Sequence, residues 1–248
     1  MFNATYATQK STGKGGNARP DFGPVPQGQH VGRIVRVISF GVQDVSNQFN
    51  PSAEPVPVIQ VTVELPNERI EVTDKDGKTT ERPRWIWSKD IPVKFFKDYD
   101  TKVVRCHEKS KLNELLTAAF PNITEWTPQL VNEHLPQLLG APISLFVTHS
   151  KSKSNGKVYD NIKQFIPVMR GMAVGELEND TLLYNPYDHN EEAWSKLSQY
   201  AQERINKRLD NTQGASNDAP SATPQPTQQK AAEKQPEPSA QFDDDVPF

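Results

Sequence analysis

A mainly β fold, one elaborated small barrel with accessory helices and a long polar tail, is what this sequence predicts. Three observations carry that prediction. Apolar runs of strand length recur between residues 31 and 87 and again between 143 and 168, separated by turn signals. Helical periodicity is confined to two regions, around 110–139 and 191–209. Residues 211–241 contain no Val, Ile, Leu, Met or aromatic residue, so they have nothing to bury and are expected to form a disordered tail.

Taken in order, residues 1–27 are rich in Gly, Ser, Thr, Asn and Lys and read as a flexible arm with a small positive excess from Lys10, Lys14 and Arg19. Gly13-Lys14-Gly15-Gly16 lacks the spacing and the preceding strand of a phosphate-binding loop. Val31 to Gly41 is a strand with apolar residues on both faces, and Gly41 suits a bulge or sharp bend. A polar loop runs from Asp44 to Pro55. Val56 to Leu65 alternates, with Ile59, Val61, Val63 and Leu65 toward the core and Gln60, Thr62 and Glu64 outward; Pro66 is expected to end it. Glu68–Val72 and Thr79–Trp87 flank Asp76-Gly77, a hairpin signal. Ile91 to Cys106, with Phe95, Phe96 and Tyr99, reads as a further strand or an irregular insertion.

Ser110 can cap a helix to Phe120 whose buried stripe is Leu112, Leu115, Leu116 and Ala119. Thr127-Pro128 opens a second short helix, Pro136 breaks it, and Gly140 stops the segment. A final hairpin pairs Ile143–His149 with Lys157–Val168 through a loop ending in Asn155-Gly156. A helix ahead of the last hairpin and a bent first strand are the marks of an OB-fold, so residues 28–175 are assigned to one OB-fold domain. After Met172 strand character is lost. Asp188-His189-Asn190-Glu191 reads as a capping box and opens a C-terminal helix to about Leu209, with Trp194, Leu197, Ala201 and Ile205 on one stripe; packing on the barrel is the expected use of that stripe, and a subunit contact is the alternative. Residues 176–210 thus form a helical extension, 211–241 a linker and 242–248 an acidic tip.

The net charge of −3 hides an asymmetry. Residues 211–248 carry six acids against two bases, which leaves 25 acids and 26 bases in the body. A near-neutral body lacks the strongly basic balance common in nucleic-acid binders, so any such binding needs a local groove and stacking. The single Cys106 excludes an intramolecular disulfide framework, no apolar run reaches the ~18 residues of a membrane span, and the N-terminus has no secretory pattern. A cytoplasmic protein without a membrane partner is expected.

Cations interleaved with aromatic residues mark candidate sites for a single nucleic-acid strand, which needs ring faces for bases and charges for phosphates. One group is Arg82, Arg84, Trp85, Trp87 and Lys89; the two tryptophans share a strand face, and whether that face is core or exterior stays open. The other is Lys151, Lys153 and Lys157 of the hairpin loop, followed by Tyr159, Lys163 and Phe165 read as one alternating face. Of Arg33 and Arg36, on opposite faces, at most one can line a groove, and Arg33 is taken. A packed tryptophan face and a solvated charged turn are the plain alternatives. Catalysis, cofactors and metals are not expected: Cys106-His107 is isolated, His134 and His149 sit singly, and Asp74 and Asp76 belong to a turn.

The last six residues are Asp243, Asp244, Asp245, Val246, Pro247 and Phe248. Ring, terminal carboxylate and acidic run suit a partner pocket with an apolar base and a basic rim. This tip resembles that of bacterial single-stranded DNA-binding proteins, which end in three Asp, an aliphatic residue, Pro and Phe. The body is more similar to phage-encoded single-stranded DNA-binding proteins with a divergent OB-fold, as are Leu138 to Gly140, His149, Tyr159, Asn161-Ile162 and Pro167. The resemblance implies binding of single-stranded DNA with little sequence preference, and recruitment of replication, recombination and repair proteins through the tip. A non-enzymatic adaptor that docks on host repair proteins without touching DNA is the alternative reading, and an accessory subunit of a nuclease or recombinase is a third. A homo-oligomer remains open.

Overall fold

The computed structural model of the chain describes residues 22–46, 48–73, 77–153 and 156–211. The arm before residue 22, Asp74, Asp76, Asn155, the linker from 212 and the acidic tip lie outside the described residues. In chain order the elements are β1 (Gly28–Gln43), β2 (Val56–Thr73), β3 (Thr79–Trp87), β4 (Ile91–Pro92), β5 (Phe95–Lys97), β6 (Val104–Cys106), α1 (Lys111–Ala119), α2 (Pro128–His134), β7 (Pro142–Lys151), β8 (Val158–Ile166), β9 (Leu182–Tyr184), α3 (Glu191–Ser195) and α4 (Gln199–Asn206).

The fold is mainly β, with a strongly curled half-barrel sheet and few helices, as expected. The main sheet runs β3-β2-β1-β7-β8, with β4 added to β2 and β9 to β1, while β5 and β6 pair as a separate ribbon. The meander β1-β2-β3, the helices, and the return of β7 to the other edge of β1 are compatible with the OB-fold expected from the sequence. Gly41 has φ +70 at a register shift between Ser39 and Val42, which is the expected bend, and a second shift lies between Ile34 and Arg36. Gly32 is required for another reason. A Cβ there would sit 2.2 Å from the backbone oxygen of Glu64, so β1 and β2 approach too closely for a side chain.

Most of the core lies between the concave sheet and the helices. Leu112, Leu115 and Leu116 of α1 and Val131 of α2 meet Val61, Val63, Leu65, Ile86 and Leu145 from the strands. Ser110 caps α1 and Thr127 caps α2, with Pro128 in the first turn, as their sequences require. Ala118 rather than Ala119 is the buried alanine of α1. A second core joins Phe40, Val58, Leu182 and Tyr184 to Leu197, Ala201 and Ile205, so the C-terminal segment packs on the barrel.

Four expectations are corrected. Pro66 does not end β2; the register jumps from Leu65↔Arg84 to Arg69↔Pro83, and Pro66 sits in that bulge, where no ladder N–H is needed. Thr62 and Glu64 are buried instead of facing solvent, because the outer face of β2 is covered. The helix expected over 191–209 is two, α3 and α4: the Ser198 hydroxyl accepts from the Ala201 N–H and starts a new helix, while Leu197 turns inward. Asn190 is the cap of α3, its side chain accepting from the Ala193 N–H. Finally, β9 pairs parallel with Arg36–Ile38 in a stretch read as lacking strands; three residues are too short for a periodic signal. Among the described residues no helix is long and apolar enough to cross a membrane.

Gly32→Ala is expected to destabilise the fold by about 2–3 kcal/mol, because the methyl group meets backbone and not a movable side chain; urea denaturation measures it. The β5–β6 ribbon gives a pH test. Asp98 accepts from the Thr101 and Asp100 N–H groups and from Arg105, which hold its carboxyl at about 2. Its folded pKa lies below the ordinary value, so its contribution is complete above about pH 4 and is lost as pH falls toward 2. Asp98→Asn is therefore expected to lower stability at pH 7 and to make little difference near pH 2, read as midpoints of paired denaturation curves.

Candidate nucleic-acid interface

The two ends of the sheet path, β3 and β8, approach each other without being neighbours in the ladder. Between them lies an open cleft of about 790 Å³. One wall is the β2–β3 hairpin, with Trp85 and Trp87. The other is the start of β8, with Lys157, Val158 and Tyr159. The chain segment Phe22–Pro24 lines the cleft as well.

Strand alternation places the tryptophans. Ile86 is 1% exposed in the core, so its neighbours Trp85 and Trp87 turn outward. The two rings then differ in use. Trp85 donates its Nε1–H to Glu64 at 3.2 Å, and the Arg36 guanidinium lies 4.5 Å from the ring centre. Glu64, 0% exposed, also accepts from the Glu178 N–H at 2.7 Å and the Asn179 side-chain amide at 2.6 Å. A buried carboxylate thereby accepts three hydrogen bonds, and Trp85 is fixed between it and a cation. Burial lowers the pKa of Arg36 from its ordinary value, though the guanidinium keeps its charge. Trp87, 54% exposed, keeps a ring face open to the cleft, and Tyr159 across it is 48% exposed.

The structure brings together Arg82, Arg84, Trp85, Trp87, Lys157 and Tyr159 around this cleft. Lys151 and Lys153 are exposed at the hairpin end, where Lys151 pairs with Val158. Lys89 is exposed just beyond β3 and does not line the cleft. Arg33 is committed elsewhere: it donates to the backbone oxygens of Gly140 and Gly175 and pairs with Glu176. Phe165 is corrected outright, being 2% exposed in the core. The cause is a bulge. The register passes from Val147↔Ile162 to Phe146↔Gln164, so Lys163 stands out of the ladder and the residues beyond it change face. Lys163 is exposed, and its carbonyl accepts from Lys111.

Ile70, Val72 and Phe22 line the cleft and were not anticipated. Ile70 and Val72 alternate with Glu71, a signal for one shared face that a search for cations passes over. Phe22 sits in a stretch read as arm, where sequence alone offers no sign of fixation. Cys106 is buried, and burial pushes its thiol up to about 11, so the nucleophilic thiolate is scarce at neutral pH.

No protein-family model matches the chain, and no curated protein matches it.

Glu64→Ala would remove the acceptor of three part-buried donors and loosen Trp85. A loss of about 2–4 kcal/mol in urea denaturation is expected, together with a red shift of tryptophan emission in the native baseline.

Proposed function

We propose that this protein binds single-stranded DNA with little sequence preference and without catalysis. On this reading it serves phage DNA replication, recombination or repair in the host cytoplasm and recruits partner proteins through Asp243–Phe248. The observation that carries the reading is the pair of exposed rings, Trp87 and Tyr159, facing one cleft beside Arg82 and Lys157. Unstacked bases offer a π-face to such rings whatever their identity, and phosphates take the cations. The cleft also borders the second and third strands and the loop before the last strand, the region OB-folds use for oligonucleotides. The tip supports the second half of the reading by its sequence resemblance alone.

The near-neutral body favours a second reading, an adaptor that docks on host repair proteins without a DNA role. Salt dependence separates the two. DNA binding through phosphates weakens linearly on a log–log salt plot, by ~0.7 per phosphate contact on a single strand.

Titration with oligo-dT is expected to quench tryptophan emission, and less so at high salt. Trp87→Ala should weaken binding by roughly 5- to 100-fold, the ~1–3 kcal/mol of one base–aromatic stack, with the unfolding midpoint unchanged. A wild-type protein inert to oligo-dT at low salt, in fluorescence and in gel shift, leaves the adaptor as the better account.

A further inference from the structure

We propose that the segment Phe22–Pro26 is a built-in wall of the cleft, in which Phe22 supplies a third base-stacking ring and Arg84 positions it. The proposal rests on the DNA-binding reading of the same cleft and names a contact that reading lacks.

Four side chains hold the segment. Arg84 donates to the backbone oxygens of Gly23 and Pro24, the latter at 3.3 Å. Asp160 accepts the Val25 N–H at 2.9 Å. His149 donates through Nε2 to the Val25 oxygen at 2.7 Å, and His30 donates through Nε2 to the Pro26 oxygen at 2.8 Å. The Val25 side chain is 0% exposed and belongs to the main core. The segment is therefore tied to β3 through Arg84, to β7 through His149 and to β8 through Asp160. Pro24 and Pro26 limit its alternatives further.

Phe22 lies at the outer end of this anchored run, 36% exposed, and lines the same cleft as Trp87 and Tyr159. A ring held on a fixed backbone costs little ordering when a base stacks on it. The same geometry changes the role of Arg84. Its terminal nitrogens are engaged with two carbonyl oxygens of the segment, so it acts on DNA through Phe22 and not as a phosphate ligand.

The test uses oligo-dT, with Trp87→Ala as the reference variant. Phe22→Ala is expected to weaken binding about 5- to 50-fold without moving the unfolding midpoint. Phe22→Trp, which keeps a stacking face, is expected to retain affinity and, in a Trp87→Phe background, to add emission that oligo-dT quenches. Arg84→Gln is expected to weaken binding and leave the log–log salt slope at the wild-type value, whereas Lys157→Ala should lower that slope by ~0.7. Equal or tighter binding by Phe22→Ala overturns the proposal, because the segment would then be a bystander or a cover. A slope lowered by ~0.7 in Arg84→Gln overturns the positioning role. If Trp87→Ala loses affinity and Phe22→Ala does not, only this proposal falls. If the wild type does not bind oligo-dT, the reading of the cleft falls and takes it along.

Discussion

A β-strand has two edges, and β1 spends them on three partners. One edge pairs with β2 from Arg33 to Gln43. The other is divided: Gly28–Arg33 pair with β7, and Arg36–Ile38 pair with β9. The handover falls at Ile34, whose N–H donates to the Ala141 oxygen and whose oxygen accepts from the Gly140 N–H. Both backbone groups of Ile34 are thereby satisfied within the protein. Two register shifts and the positive φ of Gly41 give the strand the curvature this division needs. Both cores depend on it, since Ile34 and Val37 face the main one while Ile38 and Phe40 face the second.

That division also sets where a ligand can meet the fold. With β1 at the centre, β3 and β8 become the ends of the sheet, and their incomplete closure makes the cleft. Glu64 stands behind one wall. Its carboxylate gathers Trp85, the Glu178 backbone and Asn179, so a single buried charge organises the outer face of the hairpin and the chain that returns across it. Arg69 adds a pair to Glu178 at the same place. Rigidity of this kind keeps side chains facing the cleft in position before anything binds.

The β architecture was legible because alternation and turn chemistry act locally. Gly77, Ser110, Thr127-Pro128 and Gly140 each do what their neighbours in sequence require. What escaped reading depends on partners distant in sequence. Glu64 looks like a solvent-facing strand residue until residues 178–179 fold over it. Phe165 looks outward until the bulge at Lys163 changes its face, and one irregular residue carries no compositional mark. Arg33 and Arg84 look like phosphate cations because charge is visible in a sequence, whereas the backbone oxygens that claim them are not. Half of the candidate DNA-binding side chains do line one cleft, chiefly those interleaved with Trp85 and Trp87 and those flanking Val158.

The tie across the cleft has a colloidal consequence. Terminal strands such as β3 and β8 present rows of backbone donors and acceptors that a second chain can pair with, which is how sheets grow into aggregates. Here the run Phe22–Pro26 is fastened to both ends by Arg84 and Asp160, and it brings two prolines that cannot donate to a ladder. A few residues ahead of the first strand thus lie beside both terminal strands of an incompletely closed barrel, where a second chain extending the sheet would have to displace them.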